Sequence, residues 1–182
     1  MFSTLCQTFE NIVSIKSKTR KLSEISKYYT HQASLVQLVP YEYLRLILPK
    51  FDKARSSYGL KDNSLARKYI ECLCIAKNSI EAQRLLNCKA FKGLRDLPEA
   101  IFFITQNRCH GRNDFSLKEI NDLLDSIQSG CKNHNENVGD FIKKITCEMP
   151  PIQQKWLCRL ILKELHLGIS GGLYIYNLLH IQ

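Results

Sequence analysis

Lys155-Trp156-Leu157-Cys158-Arg159-Leu160-Ile161-Leu162-Lys163-Glu164-Leu165-His166-Leu167-Gly168-Ile169-Ser170 decides the reading of this chain. Apolar residues recur in it at helical spacing, and Lys155, Arg159 and Lys163 fall at i, i+4 and i+8, on one face of a helix. Gly168 is expected to break that helix. Three glycines among the five residues Gly168-Ile169-Ser170-Gly171-Gly172 then allow a close backbone approach. Ser170 is placed to cap a further helical segment from Leu173 to His180. A helix beginning there would offer unpaired amide protons to a phosphate. Each feature also has a plain structural reading. Cations near a helix C-terminus complement its dipole, and a glycine turn joins two helices without binding anything.

Worked outward from this stretch, the helical period persists almost throughout, and alternating strand patterns are scarce. Leu5, Phe9, Ile12 and Val13 form one apolar stripe, and Leu22, Ile25, Tyr28 and Tyr29 form the next. Pro40 suits a helix start before Tyr41 to Leu48, with Pro49 as its end. Asp62 or Asn63 can cap a helix to about Ile75, and Ser79 another to about Cys88. Asp96, Pro98 and Ala100-Ile101-Phe102-Phe103-Ile104 predict a more buried helix. Ser116 and Glu119 fit a capping box for a helix through Ile127. A polar loop is expected over Gly130 to Asn137, then helices from Val138 to Cys147 and from Pro151 to His166. The predicted class is all-α, a compact multi-helix domain. One echo stands out: Arg45-Leu46-Ile47-Leu48 returns as Arg159-Leu160-Ile161-Leu162, and each is followed downstream by a glycine and an aliphatic residue, Gly59-Leu60 and Gly168-Ile169. Leucine-rich helices produce such echoes by chance, but two helix-glycine-helix units would offer two helix beginnings to neighbouring phosphates.

The chain has 182 residues, 45% hydrophobic and 24% charged, a composition that fits one folded domain and argues against disorder along its length. Its 26 Lys and Arg against 17 Asp and Glu leave a net charge of +9, which suits a polyanionic partner as well as simple solubility. The 8 cysteines contain no C-x-x-C pair, so zinc spacing is missing and reduced intracellular thiols are expected. No secretory leader opens the sequence, and no apolar run nears the roughly 20 residues that cross a bilayer. The expected protein is soluble and not secreted.

Catalytic signatures are missing: the sequence holds no phosphate-binding loop, nucleophile elbow, zinc-protease pair or dinucleotide turn. Lys50-Phe51-Asp52-Lys53 approaches the K-x-D-G motif of nucleotidyltransferases but ends in lysine, in a helical context. A nucleophilic lysine needs desolvation or neighbouring cations to lose its proton, and nothing in the sequence supplies either. The basic clusters carry more. Lys16-Ser17-Lys18-Thr19-Arg20-Lys21 interleaves cations with hydroxyls, a mixture typical of phosphate contacts, though such runs are usually solvated faces. Lys143-Lys144 and Arg108, His110 and Arg112 are weaker. No base-reading helix, zinc finger or aromatic RNA motif accompanies them. Trp156 reads as a core anchor. Phe2, Phe9, Tyr28, Tyr29 and Tyr41 exceed what one helix pair buries, so they form either core or a groove for a partner peptide.

Several stretches carry a family likeness. They are Phe2-Ser3-Thr4-Leu5-Cys6, Leu44 to Pro49, DKARSSYGL from Asp52, and Leu65 to Ile70. Ala82 to Asn87, SLKEINDLLDSI from Ser116, and KWLCRLILKELHLGIS follow in order. In them the chain resembles the N-terminal DNA-binding domain of eukaryotic ATP-dependent DNA ligases, nearest to the ligase IV branch. The resemblance implies an all-α domain with pseudo-twofold symmetry that holds nicked or broken duplex DNA across the minor groove. It implies double-stranded DNA as partner, nuclear end joining of double-strand breaks as setting, and a groove offered to the nuclease Artemis. ATP and Mg belong to the full-length family, and no cofactor is expected in this chain. By the resemblance, Gly168, Ser170, Gly171 and Gly172 match a phosphate-contacting turn. Gly59 and Lys61 match its symmetry mate, and Lys16, Lys18, Arg20 and Lys21 match a basic loop. Lys155, Arg159 and Lys163 complete the expected contact set. The family's adenylation motif, second barrel and C-terminal repeats have no counterpart here. The expectation is a single helical domain over residues 1–182, short of the family's last helices and unable to ligate alone.

Overall fold

The computed structural model describes residues 1–36, 41–133 and 138–170. Pro40, the end of the expected polar loop, Gly171, Gly172 and the segment from Leu173 to His180 lie outside the described residues. Nine α-helices and one 3-10 turn follow in order among the described residues, with no strand. They are α1 (Phe2–Ser14), α2 (Lys18–Val36), α3 (Tyr41–Ile47), α4 (Asp62–Cys72), α5 (Ile80–Leu86), the 3-10 turn Cys88–Ala90, α6 (Leu97–Thr105), α7 (Leu117–Asn133), α8 (Val138–Glu148) and α9 (Pro151–Ile161).

Local chemistry sets most of the boundaries. The Ser79 hydroxyl accepts from the Ala82 amide, and the Asp96 carboxylate accepts from the Glu99 amide, so both caps fall where the sequence places them. At α7 the Ser116 hydroxyl accepts from the Glu119 amide while the Glu119 carboxylate accepts from the Ser116 amide, a reciprocal capping box. α4 begins one residue early, with Lys61 at its N-cap and the Lys61 amide donating to the Ser64 hydroxyl. α7 runs on to Asn133, through the first residues of the expected loop; Gly130 is buried inside it.

The main correction concerns α9. It ends at Ile161, well before Gly168. Lys163 takes a left-handed φ of 58°, its amide donates to the Leu160 carbonyl, and the Glu164 amide donates to the Arg159 carbonyl. That pair of bonds is the Schellman stop, made here around a lysine where a glycine is usual. α4 stops in the same way around Cys74, φ 51°, with the Ile75 amide on the Ile70 carbonyl.

α9 is the hub. Every residue from Gln153 to Ile161 is buried, and the helix packs on α6, α1 and α8. Trp156, fully buried, lies 4.7 Å centroid to centroid from Phe9 of α1, and its indole N–H donates to Glu10 Oε1 at 2.7 Å. A helix buried all round needs internal partners for any charge it carries. α4 rests on α5, α6 and α8, and α3 rests on α7.

Candidate nucleic-acid interface

The stripe of Lys155, Arg159 and Lys163 does not face outward, and this corrects the expected contact set. Lys155 is 9% exposed, and its ammonium donates to Glu10 Oε1 at 2.7 Å. Arg159, 4% exposed, sits 2.8 Å from Asp96 Oδ2 and 3.7 Å from Glu99 Oε1, stacked over the Trp156 ring. Lys163 donates to the carbonyls of Pro49 at 2.9 Å and Asp52 at 3.3 Å, and burial lowers its pKa. The i, i+4 spacing holds Lys155 and Arg159 on one face, but that face meets α1 and the start of α6. Three charges in a low-dielectric wall are stable because each has an oxygen to donate to.

The basic run at the α1–α2 junction is different. Lys16, Lys18 and Arg20 are exposed, and none has a carboxylate within ion-pair distance among the described residues. Ser17 supports the turn: its hydroxyl accepts from the Arg20 amide and its carbonyl from the Lys21 amide. Lys21 points the other way. It is 9% exposed and donates to the Leu167 carbonyl at 2.6 Å, beneath Gly168. The corner itself stands outside: Gly168 and Ser170 are exposed, and Gly168 has a φ of 73° that L-residues rarely adopt. Gly171 and Gly172 lie outside the described residues.

The expected symmetry mate is also at the surface. Gly59, φ 65°, and Lys61 are exposed, and Lys61 opens α4. The amides of Asp62 and Asn63, in the first turn of that helix, have no backbone acceptor among the described residues, as helix beginnings require. They border a polar groove of about 1080 Å³. Val13, just before the Lys16 turn, lines it on one side; Lys61, Asn63, Lys89, Arg95 and His166 line others. Asp62, Asp96 and Glu164 bring negative charge into the same groove. Burial alone would raise the Asp96 carboxyl, but Arg159, the Glu99 amide and His166 together outweigh it and lower it below the usual range. Sequence reasoning did not find Lys89 or Arg95. Lys89 stands in the 3-10 turn and Arg95 just ahead of the α6 cap, where Glu99 binds its guanidinium, and no spacing pattern in the sequence signals their meeting.

A second, apolar groove of about 440 Å³ lies among α1, α2, α3 and residues 163–170. Phe9, Ile12, Ile25, Tyr43 and Ile47 line it, with Phe51 exposed at its rim.

Among the described residues the catalytic-lysine candidate does not find a nucleophile's surroundings. Lys50 is exposed, while Asp52 is buried and accepts from Arg45 Nε at 2.7 Å and from the Ala54 and Arg55 amides. The lysine motif is therefore an ion-paired turn. Among the described residues no group of His, Cys, Asp and Glu has metal-site geometry, and Cys6, Cys72, Cys74, Cys88, Cys109, Cys147 and Cys158 are free thiols. Burial pushes the Cys158 thiol up to about 12. No helix among the described residues is long and apolar enough to cross a membrane.

Comparison with known proteins adds the family. The family model described as DNA ligase N terminus matches residues 1–179. The DNA ligase 4 of Dictyostelium discoideum is 34% identical over 178 residues, covering 94% of this chain and 16% of that protein. The DNA ligase 4 of Homo sapiens is 30% identical, covering 93% of this chain and 20% of that protein. That of Gallus gallus is 31% identical, with 98% and 21% covered. The chain thus spans about a fifth of the length of these relatives or less.

Proposed function

This chain belongs to the DNA ligase N-terminus family, and from that premise we propose that it is a duplex-DNA-binding module without sequence preference. It corresponds to the family's N-terminal, non-catalytic region, in keeping with a sequence that lacks the adenylation motif. The observation that carries the reading is the uncompensated charge of Lys16, Lys18 and Arg20, joined through Lys21 to the exposed Gly168–Ser170 corner, with Lys61 at the free beginning of α4 on the groove that Val13 also lines. Cations and helix amides contact phosphates and carry no base information, so they position a duplex without reading it. Gly59, Gly171 and Gly172 extend this contact set by their place in the sequence.

The parent protein in this proposal is an ATP-dependent DNA ligase like DNA ligase IV. It joins broken or nicked DNA in nuclear non-homologous end joining, using ATP and Mg held by parts of the protein beyond this domain. The test is a gel shift with nicked duplex over a salt series. Changing Lys16, Lys18 and Arg20 to glutamine should weaken binding equally for unrelated sequences and lower the slope of log K against log salt by about 0.9 per cation. Equal binding by the variant and the parent chain at low salt removes the assignment.

A second reading rests on the apolar groove. Its aromatic and aliphatic lining suits a peptide of a protein partner, with a nuclease such as Artemis as the occupant proposed from the family. Peptide capture that ignores salt, without a DNA shift, favours this reading over the first.

A further inference from the structure

Lys21 is the one member of the basic run that is turned inward. It belongs to the first turn of α2, directly after Lys16, Lys18 and Arg20, yet its ammonium ends on the carbonyl of Leu167, far along the chain, at 2.6 Å. Gly168 completes the contact. A Cβ added to this glycine would stand 2.9 Å from Lys21 Nζ and 3.9 Å from its Cε, with no other heavy atom of the described residues within 4 Å. The missing side chain is therefore the space that the lysine head occupies. Two constraints meet at one residue: Gly168 supplies a left-handed φ of 73°, and it leaves room for the ammonium beneath the turn.

We infer that Lys21 is a positioning residue: it clamps the glycine corner to the start of α2, so that the Lys16–Arg20 turn and the Gly168–Ser170 corner meet a phosphate rail as one preorganised unit. The inference rests on the duplex-binding reading given above. It removes Lys21 from the set of direct phosphate contacts and gives it a different job. Without the clamp both surface elements keep their charges and amides, but each must be ordered separately when DNA arrives. Preorganisation of a loop and a side-chain cluster is worth about tenfold in affinity. A direct contact would behave differently, because each phosphate neutralised adds about 0.9 to the salt slope.

The test compares Lys21→Met, Lys16→Gln and Gly168→Ala by fluorescence anisotropy on a labelled nicked duplex across a salt series, with amide hydrogen exchange on the DNA-free proteins. Lys21→Met is expected to bind about tenfold more weakly with an unchanged salt slope, and the amides of 167–170 are expected to exchange faster. Lys16→Gln is expected to lower the slope by about 0.9 and leave those amides protected. Gly168→Ala crowds the ammonium and also strains the φ of 73°, so it should weaken binding at least as much as Lys21→Met with the slope unchanged, and adding Lys21→Met to it should cost less than a further tenfold. A Lys21→Met protein that loses slope as Lys16→Gln does, with exchange at 167–170 unaltered, overturns the inference while leaving duplex binding intact. Absence of any salt-dependent binding by the parent chain overturns both readings together.

Discussion

The same tetrapeptide, Arg-Leu-Ile-Leu, occurs at residues 45–48 and 159–162, and the two copies behave alike as backbone but differently as charge. In each, the Leu and Ile after the arginine are buried: Leu46 and Ile47 in the first, Leu160 and Ile161 in the second. Each helix stops at that isoleucine. The arginines then meet different company. Arg45 bonds Asp52 through Nε and Asp125 through both terminal nitrogens, while Arg55, 1% exposed, grips Asp125 from the other side at 2.7 and 2.9 Å. Two guanidinium groups and two carboxylates balance. Arg159 faces Asp96 and Glu99, the latter also held by exposed Arg95 at 2.9 Å, with His166 Nδ1 3.1 Å from Asp96 Oδ2, at the edge of the polar groove. A local sequence thus fixes where a helix ends, and distant acids decide whether its arginine knots the core or borders a surface. Lys163 ties the halves, because the stop of the second copy donates to carbonyls just after the first.

That contrast can be broken most severely at Arg55. Arg55→Ala removes a buried guanidinium with its bonds to Asp125 and to the Asn121 carbonyl and leaves a void, and a loss of about 3 kcal/mol is expected. Urea denaturation measures it, and a loss under 1 kcal/mol would show the first cluster to be ornamental. Arg159→Ala should cost less, about 2 kcal/mol, because Asp96 keeps its capping bond to the Glu99 amide and can hydrate from the groove. A larger loss at Arg159 than at Arg55 would invert the comparison.

Acid sharpens the contrast further. Hydrogen bonding by Arg55, then Arg45, outweighs burial and holds the Asp125 carboxyl at about 2, against a usual value near 3.8. A depressed folded-state pKa gives stability that is present above the unfolded value and is lost as pH falls through the folded one. Denaturation midpoints should therefore decline between about pH 4 and pH 2, and the decline should be shallower in Asp125→Asn. Half the Asp125 side chain is exposed, so solvent screening keeps this effect modest.

The smallest change is expected at the link. Lys163→Gly relieves a left-handed backbone worth about 1 kcal/mol but forfeits the bonds to Pro49 and Asp52. The two effects nearly cancel, and a net change within about 1 kcal/mol is expected in the same urea assay. Cys74→Gly, at the matching stop of α4, has no such ammonium bond to lose. It should stabilise by up to about 1 kcal/mol, as a direct reading of the backbone strain alone.

Most helices were legible because their apolar period and their caps are local. Ser79, Asp96 and Ser116 act within three residues of themselves, a range a sequence displays openly. The end of α9 was not legible, since a lysine adopts the conformation that a glycine announces. Nor was the direction of the basic stripe. Glu10 is 145 residues from Lys155, Asp96 is 63 from Arg159, and the Pro49 carbonyl is 114 from Lys163. Helical spacing reports which side chains share a face, but only the packing decides what that face touches. The exposure of Lys16, Lys18 and Arg20 was legible because the run contains no acid to neutralise them.

Trp156 is the sole tryptophan of the chain, seated against Phe9 with its indole bonded to Glu10. The molecule therefore carries its own optical reporter at the seam between first and last described helices. Excitation at the red edge of the protein absorption band follows that seam alone. An emission shift at mild denaturant would mark the peeling away of α1, and with it the Lys16 turn, before the remaining helices come apart.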